Sequence, residues 1–279
     1  GYYRSKFDVK VVGVTGSVGK TTTKDMIALV VAQKYKTLKT QGNHNNEIGM
    51  PQTLFGLDSS YEAAVIEMGM SHQGEISRMS MSCQPDVAVI TNIGISHIEN
   101  LGTQENILKA KLEILDGAAY DAPLILCRDD KLLAGVQLHS DRKVYYYSVS
   151  KKDCDVYASG VKTVDNSITF TINYEGGKIA AQINCLGEHN VKNALAAFSV
   201  GLALDIPPED IVKGIAQFKP EGLRQNVTVI DGVTYIVDCY NAAPDSMKAS
   251  LSVLSQAQAE GKRICVLGDM LELGKNSKT

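Results

Sequence analysis

Short aliphatic runs alternate with amphipathic stretches along the first half of the chain. The short runs predict strands, and stretches with apolar residues three and four apart predict helices. Apolar strands separated by helices indicate a parallel sheet that is covered on both faces. The predicted strands are residues 9–14, 62–68, 86–92 and 124–127, and the predicted helices are 20–34, 74–82 and 103–115, the last with Thr103 as its N-cap.

The spacing changes to period two after about residue 143. Four segments there alternate apolar and polar side chains between short turns, which predicts an antiparallel meander of four strands added to the parallel core. These segments are residues 144–150, 155–164, 167–175 and 178–186, and two predicted helices follow at 189–204 and 208–218.

A further α/β pattern begins near residue 226, after a segment with Pro220 and Gly222 that predicts an interdomain linker. About a dozen residues follow its last predicted strand, so we expect an incomplete Rossmann-like domain at 223–279. Residues 1–222 then form a central domain of the P-loop type, with a mostly parallel sheet flanked by helices. The predicted elements of the second domain are strands at 226–230, 233–240 and 264–267 and a helix at 244–257.

The composition narrows the classes of protein. The 279 residues are 44% hydrophobic and 21% charged with a net charge of −3, which gives no support for a nucleic-acid partner. No run approaches the roughly 18 apolar residues of a membrane span, and the first residues lack a signal-peptide core, so we predict a cytoplasmic protein. The six cysteines are dispersed, which favours free thiols over disulfides or a zinc site.

The segment VVGVTGSVGKTTTKDM at residues 11–26 fits two kinds of nucleotide site. Its spaced glycines fit a dinucleotide fold, whereas Lys20 and Thr21 fit a loop that binds a nucleotide triphosphate, although Val14 stands where that pattern expects a glycine. A dinucleotide fold also needs an acidic residue after the next strand, and residues 35–40 contain none. We therefore predict that ATP is bound by Thr15, Gly16, Ser17, Val18, Gly19, Lys20, Thr21 and Thr22.

Two polar side chains follow other predicted strands. Glu67 ends the strand at 62–68, and His97 lies just beyond the strand at 86–92. Both are expected at the carboxyl edge of the parallel sheet, where such sheets bind ligands, and an ATP site needs a carboxylate for its metal ion. A solvated loop carboxylate and a structural histidine are the alternatives.

Eight stretches in order resemble the Mur ligase family, the ATP-dependent amide-bond ligases of peptidoglycan synthesis. They are VTGSVGKTTTKD, GNHNNEIGMPQTL, VIEMGMSHQGEI, TNIGISHIENLGT, AKLEI, CLGEHNVKNALAA, VDCYNAAPDSM and VLGDMLELG. The resemblance implies a ligase that uses ATP and two Mg²⁺ ions and forms an acyl phosphate. NHNN, YNAAPDSM and VLGDMLELG are most similar to the members that add D-Ala-D-Ala to UDP-MurNAc-tripeptide.

The resemblance also implies roles for single residues. Lys20, Glu67, His97 and Lys111 are implied to be catalytic, and Thr21, Glu67 and His97 to ligate metal. Lys111 matches a lysine that the family carries as a carbamate, an anionic oxygen ligand for a second Mg²⁺, although the sequence alone favours a surface lysine. Implied contacts are Asn190, Asn193, Arg224 and Asp238 for the nucleotide and Asn45 and Asn46 for the muramoyl peptide.

Two residues of these motifs need a separate comment, because one has an alternative role and the other differs from the family pattern. Asn190 also fits a helix N-cap. Ala243 stands where the family usually has asparagine, so we expect one hydrogen bond near the nucleotide to be missing.

Two other functions stay open. One is a sister ligase or a folylpolyglutamate synthase, which would share the core. The other is a regulatory module that binds a nucleotide without catalysis, although Glu67, His97 and Lys111 together argue against it. From its first and last residues we expect a chain that lacks the family's UDP-binding domain, binds nucleotide weakly at most and has negligible ligase activity alone. We also expect a monomer.

Overall fold

The computed structural model describes residues 1–138, 141–220, 222–257, 259 and 261–274. Most of its strands belong to one large sheet, namely β1 (Lys10–Thr15), β2 (Thr37–Lys39), β3 (Ala63–Glu67), β4 (Val87–Ile90), β5 (Leu124–Cys127), β6 (Val144–Ser148), β7 (Val156–Val164), β8 (Ser167–Tyr174) and β9 (Gly177–Ile183). Their order across the sheet is β2-β3-β1-β4-β5-β6-β7-β8-β9. β1 is therefore central, and its buried residues 11–15 show that both faces of the sheet are covered.

Helices connect the strands and cover the sheet. They are α1 (Lys20–Val31), α2 (Gly49–Phe55), α3 (Glu75–Cys83), α4 (Ile98–Leu101), α5 (Gln104–Leu112), α6 (Lys131–Ala134), α7 (Glu188–Ala203) and α8 (Pro208–Ala216). The helix α1 packs against α7 and α8, and Thr103 accepts a hydrogen bond from the backbone N–H of Asn106 as the predicted cap of α5. The α/β class with a large, mostly parallel sheet is confirmed.

The predicted four-stranded meander is wrong in its first strand. β6 pairs in parallel with both β5 and β7, and only β7, β8 and β9 are antiparallel. The period-two pattern reports which side chains are buried and carries no information on strand direction. The connection through α6 returns the chain to the same end of the sheet, and this makes β6 parallel to β5.

The second unit is smaller than the pattern predicted. β10 (Asn226–Ile230) and β11 (Val233–Val237) form an antiparallel hairpin, and α9 (Pro244–Gln256) follows. The strand expected at 264–267 is not formed, and residues 261–273 adopt neither helix nor strand. A strand needs a neighbour for its N–H and C=O groups, and no strand of the described part lies beside this segment.

Four elements were missed by the sequence analysis: α4 and α6, which are only four residues long, and also β2 and α2. β2 is a short run of partly exposed residues, and α2 carries Pro51 in its first turn, so neither shows a strong hydrophobic period. Among the residues described, no helix combines the length and the apolar character that crossing a membrane requires.

Close packing of α8 on α1 gives a test of the fold. An alanine Cβ at Gly214 would lie 2.7 Å from Cα of Val30, so the two helix backbones would have to separate. We expect Gly214→Ala to lower the free energy of unfolding by about 1–3 kcal/mol, because this overpacking outweighs the gain of about 1 kcal/mol in helix propensity.

The matched control is Gly135→Ala, whose added Cβ would make only ordinary contacts near 3.7 Å. Chemical denaturation of both variants is the measurement. Equal stabilities for the two would contradict the close approach of α8 to α1.

Candidate active site

The loop between β1 and α1 has a backbone that requires glycine. Gly16 has φ +148°, and a Cβ there would lie 1.9 Å from Oγ1 of Thr91. Gly19 precedes α1 in the left-handed region at φ +80°. Without side chains at these positions, the loop can curl tightly in front of the helix N-terminus, which favours phosphate binding.

Residues just after β4 hold this phosphate loop. The N–H of Ser17 donates to the carbonyl of Asn92 at 3.0 Å, and the N–H of Val18 donates to Oδ1 of Asn92 at 3.0 Å. The hydroxyl of Thr91 and the amide of Asn92 both donate to the carbonyl of Val18, at 2.7 and 2.9 Å. The loop is therefore shaped by the protein's own hydrogen bonds.

Lys20 opens α1 and folds back over the loop. Its Nζ donates to the carbonyls of Gly16 and Ser17 at 2.9 and 3.1 Å. Burial lowers the pKa of Lys20, Glu67 raises it and Arg224 lowers it. A bound polyphosphate would supply negative charge that stabilises this partly desolvated ammonium.

Glu67 ends β3 at the same edge of the sheet, as predicted. Only 1% of the residue is exposed. Its Oε1 accepts a hydrogen bond of 2.8 Å from the amide of Asn45, whereas Oε2 is buried with no partner among the described residues. Leaving one oxygen of a buried carboxylate unpaired is costly unless a ligand completes it. That free oxygen fits a hard divalent cation.

Lys111 lies inside the protein, so the surface position that the sequence alone favoured is wrong. It is 2% exposed, whereas neighbouring Lys109 is exposed. Its ammonium makes no hydrogen bond or ion pair with any residue that the structure describes. Burial lowers its pKa well below the usual value, and Lys20 lowers it further. Lys111 is thus suited to be a neutral amine.

His97 lies beyond β4 and directly precedes α4 in a left-handed conformation. Its Nδ1 lies 2.6 Å from Oε2 of Glu272, which makes an ion pair when the imidazole is protonated, and this nitrogen has no hydrogen-bond partner among the described residues. Burial lowers the pKa of His97, Glu272 raises it, and Lys20 and Lys111 lower it. These effects place His97 in the electrostatic environment of both lysines.

The predicted metal ligands do not form a complete protein site. Within the described part of the chain, no three His, Cys, Asp or Glu side chains group as a metal site. Glu67 offers a free oxygen, and Thr21 at the start of α1 is partly exposed. The geometry therefore fits a cation that takes most of its ligands from phosphate and water, as Mg²⁺ does with nucleotides.

Beside the phosphate loop is a cavity of about 440 Å³, within the size range of small-ligand sites. It brings together residues of the phosphate loop, α7 and the second unit. Of the predicted nucleotide residues it is lined by Val18, Gly19, Thr22, Asn190, Asn193, Arg224 and Asp238. The guanidinium of Arg224 stacks 4.0 Å above the ring of Tyr240, and the carboxylate of Asp238 accepts a hydrogen bond from Ser250.

A chain of side-chain hydrogen bonds joins α1 to the second unit. Thr23 donates to Oδ1 of Asn193, and the amide of Asn193 donates to Oδ1 of Asn190, both at 3.0 Å. The amide of Asn190 then donates to Oε1 of Gln225 at 3.0 Å. The N-cap of α7 is Gly187, so the capping alternative for Asn190 is wrong.

The two asparagines of the predicted substrate loop have different contacts. Asn45 donates to Glu67, as described above. Oδ1 of Asn46 accepts hydrogen bonds from the N–H groups of Ile48 and Gly49 at 3.1 and 2.8 Å, which supports the start of α2. Ala243 is the N-cap of α9, and its backbone N–H donates to the hydroxyl of Ser246 at 3.1 Å. The loss of a hydrogen bond near the nucleotide at this position stays a prediction.

Sequence reasoning missed other residues of the cavity. Asp130 follows β5 at the same sheet edge, and its Oδ2 accepts a 2.7 Å hydrogen bond from the N–H of Ile93. The rule that selected Glu67, a polar residue after a buried strand, would have found it. Gln225 had no such signal, because its partners Asn190 and His189 are distant in sequence.

Two family models match the chain. The Mur ligase middle domain matches residues 14–201, and the Mur ligase glutamate ligase domain matches residues 224–279. The UDP-N-acetylmuramoyl-tripeptide--D-alanyl-D-alanine ligase of Bacillus subtilis is 43% identical over 278 residues, which are 99% of this chain and 60% of that protein. The chain thus spans about 60% of the length of the curated relatives it matches.

Solved structures agree with these similarities. MurF from Acinetobacter baumannii superposes with a TM-score of 0.93 at 36% identity, over 99% of this chain and 60% of that one. MurF ligase from Thermotoga maritima, solved in complex with ADP, superposes with a TM-score of 0.88 at 29% identity, over 99% of this chain and 64% of that one.

The buried amine of Lys111 gives a test by stability. Its folded-state pKa lies below the unfolded value of 10.5, so the unfolded chain binds the extra proton between these two values. We expect Lys111→Met to be more stable than the wild type at pH 7, by on the order of 1 kcal/mol for each unit by which the pKa is lowered. The difference should shrink as the pH rises towards 10.5.

Denaturation in buffers freed of carbon dioxide, across this pH range, is the measurement. Lys109→Met removes an exposed lysine from the same helix and should change little. A Lys111→Met protein that is less stable than the wild type at every pH would contradict the unpaired burial of this amine.

Proposed function

The chain belongs to the Mur ligase family, and from this premise we propose that it is the nucleotide-binding part of an ATP-dependent ligase that adds D-Ala-D-Ala to UDP-MurNAc-tripeptide. Its partners would then be small molecules, namely ATP, the UDP-linked tripeptide and D-Ala-D-Ala. The similarity to ligases of this specificity along 99% of the chain supports the choice over a sister ligase or a folylpolyglutamate synthase. The domain limits 1–222 and 223–279, the monomeric state and the cytoplasmic location stay predictions.

The arrangement of charged groups beside the glycine loop supports the ATP-dependent chemistry. A glycine loop at the N-terminus of α1 lies beside two lysines with lowered pKa values and a buried carboxylate with a free oxygen. A non-catalytic nucleotide module has no need of the second buried lysine or of the free carboxylate oxygen. Such a charge arrangement suits a reaction in which a phosphoryl group is transferred.

The proposed reaction has two steps. The substrate carboxylate attacks the γ-phosphorus of ATP, which gives an acyl phosphate and ADP. The amine of D-Ala-D-Ala then attacks the acyl carbon, and phosphate leaves from the tetrahedral intermediate as the amide forms. No nucleophile of the protein is needed, so the cysteines have no covalent role.

The residues of the chain act mainly by position and charge. Lys20 and the N–H groups at the N-terminus of α1 would neutralise the β- and γ-phosphate oxygens. Thr21, Glu67 and His97 would hold Mg²⁺, with two ions in the complete site. The bound metal would supply charge neutralisation at the transferring phosphoryl group. Asn190, Asn193, Arg224 and Asp238 would fix the nucleoside, and Asn45 and Asn46 would meet the muramoyl peptide.

Lys111 would act as a carbamate. Its neutral amine would attack carbon dioxide, form an N–C bond and release a proton, which leaves an anionic carboxylate on the side chain. This supplies an oxygen ligand and removes a buried amine without a partner.

The carbamate can be observed directly. With ¹³C-bicarbonate, we expect one protein-bound carbonyl signal in the NMR spectrum, absent from Lys111→Met and retained in the control Lys109→Met. An equal signal from Lys111→Met, or none from the wild type, would remove Lys111 from the metal site.

Ligation is tested in the full natural polypeptide. With ATP, Mg²⁺ and UDP-MurNAc-tripeptide, we expect D-Ala-D-Ala to be coupled, with release of ADP and phosphate, and glutamate, lysine and meso-diaminopimelate to be rejected. Lys20→Ala and Glu67→Ala should lose turnover and keep the fold, because both act on phosphate charge. Product masses and circular dichroism are the measurements. Preference for another acceptor would favour a sister ligase, and binding without turnover would favour the module.

A further inference from the structure

The two oxygens of Glu67 have different surroundings, although both are buried. Oε1 accepts the hydrogen bond from Asn45, and Oε2 has no partner among the residues described. A carboxylate with two free oxygens could rotate about its last bond and present either of them. The hydrogen bond to Asn45 therefore decides which oxygen is available.

Asn45 is itself held in place by the backbone of the residues around it. Its N–H donates to the carbonyl of Asn43, and its carbonyl accepts from the N–H of Gly69, both at 2.7 Å. Gly69 follows Glu67 by two residues and has no side chain, so the amide of Asn45 can lie against it. A Cβ at Gly69 would come within 3.1–3.2 Å of the amide atoms of Asn45.

The start of the loop that carries Asn45 is fixed to α1. We call residues 40–48 the β2–α2 loop. The hydroxyl of Thr40, its first residue, accepts a 3.0 Å hydrogen bond from the N–H of Glu67. The buried ammonium of Lys24, one helical turn after Lys20, donates to the carbonyl of Thr40 at 2.8 Å. The loop thus holds both the backbone and the side chain of Glu67.

We propose that Asn45 is a positioning residue for cation binding, because its amide holds one oxygen of Glu67 so that the other stays free for a divalent cation. This inference rests on the proposed function, in which Glu67 is a metal ligand. It adds to the substrate role expected for Asn45, since movement of the β2–α2 loop on substrate binding would act on the metal carboxylate. Partners of this kind, which orient a metal ligand, commonly change metal affinity 10–100-fold when removed.

The test separates cation binding from nucleotide binding. Mn²⁺ serves as the divalent probe, and its affinity in the presence of ADP is measured by electron paramagnetic resonance. ADP affinity is measured separately by calorimetry in EDTA. For Asn45→Ala we expect Mn²⁺ affinity to fall at least about tenfold, while the metal-free affinity for ADP and the unfolding midpoint stay close to the wild type.

Two further variants provide the comparison. Asn43→Ala removes an exposed amide from the same loop, and this amide makes no side-chain hydrogen bond within the described residues, so both affinities should be retained. Gly69→Ala keeps Asn45 but crowds its amide, and we expect a smaller loss of Mn²⁺ affinity in the same direction.

The outcomes distinguish a failure of the positioning role of Asn45 from a failure of the proposed function. Unchanged Mn²⁺ affinity in Asn45→Ala, with normal binding by the wild type, would overturn the inference and leave the proposed function standing. An equal loss of metal-free ADP affinity would show general loosening of the site and would also overturn the inference. A wild-type protein that binds neither ADP nor Mn²⁺ would overturn the proposed function and this inference together.

Discussion

The site depends on the parallel pairing of β1 with both β3 and β4. In register, Val14 lies opposite Glu67 and Thr15 lies opposite Ile90. Because the three strands run in one direction, their carboxyl ends meet at one edge of the sheet. The phosphate loop, the carboxylate of Glu67 and the residues that hold the loop lie at or directly after these ends. Reversal of either neighbouring strand would place these groups at opposite ends of the strands.

The same edge collects charge that the protein does not neutralise by itself. Lys20 disfavours the charged form of Lys111, Arg224 disfavours the charged form of Lys20, and Glu67 favours the charged form of Lys20. Burial of these groups is unfavourable in the free protein, as expected where a site is prepared for a charged ligand. ATP with Mg²⁺, together with a carbamate on Lys111, would satisfy the amines and the free oxygen of Glu67. We interpret this cost as the electrostatic reason why the site favours a polyphosphate ligand.

The site also joins two units of the chain. The amide chain through Asn193 and Asn190 reaches Gln225, and Arg224 beside it influences the pKa of Lys20. The cavity beside the phosphate loop is lined from both sides of this junction. Its shape therefore depends on how the second unit is seated, which is a common arrangement for ligand sites at domain interfaces.

Local sequence determined most of the fold and the identity of the phosphate loop. Glycines at positions of positive φ, a lysine and threonine at a helix start, and a carboxylate after an apolar strand are each encoded within a few residues. Thr15 to Thr22, Glu67 and the Thr103 cap could therefore be predicted without a structure. The direction of β6 and the missing strand at 264–267 could not, because pairing depends on which partner is available across space.

Tertiary structure alone decided the environments of the side chains. The sequence favoured a surface position for Lys111, and its burial follows from how α5 packs among α3, α4 and α6. The orientation of Glu67 by Asn45 joins residues 22 positions apart, and the contact of Asn190 with Gln225 joins residues 35 positions apart. Burial, hydrogen-bond partners and pKa are properties of a side chain's neighbours. A sequence pattern identifies the residue types, and only the folded chain assigns those neighbours.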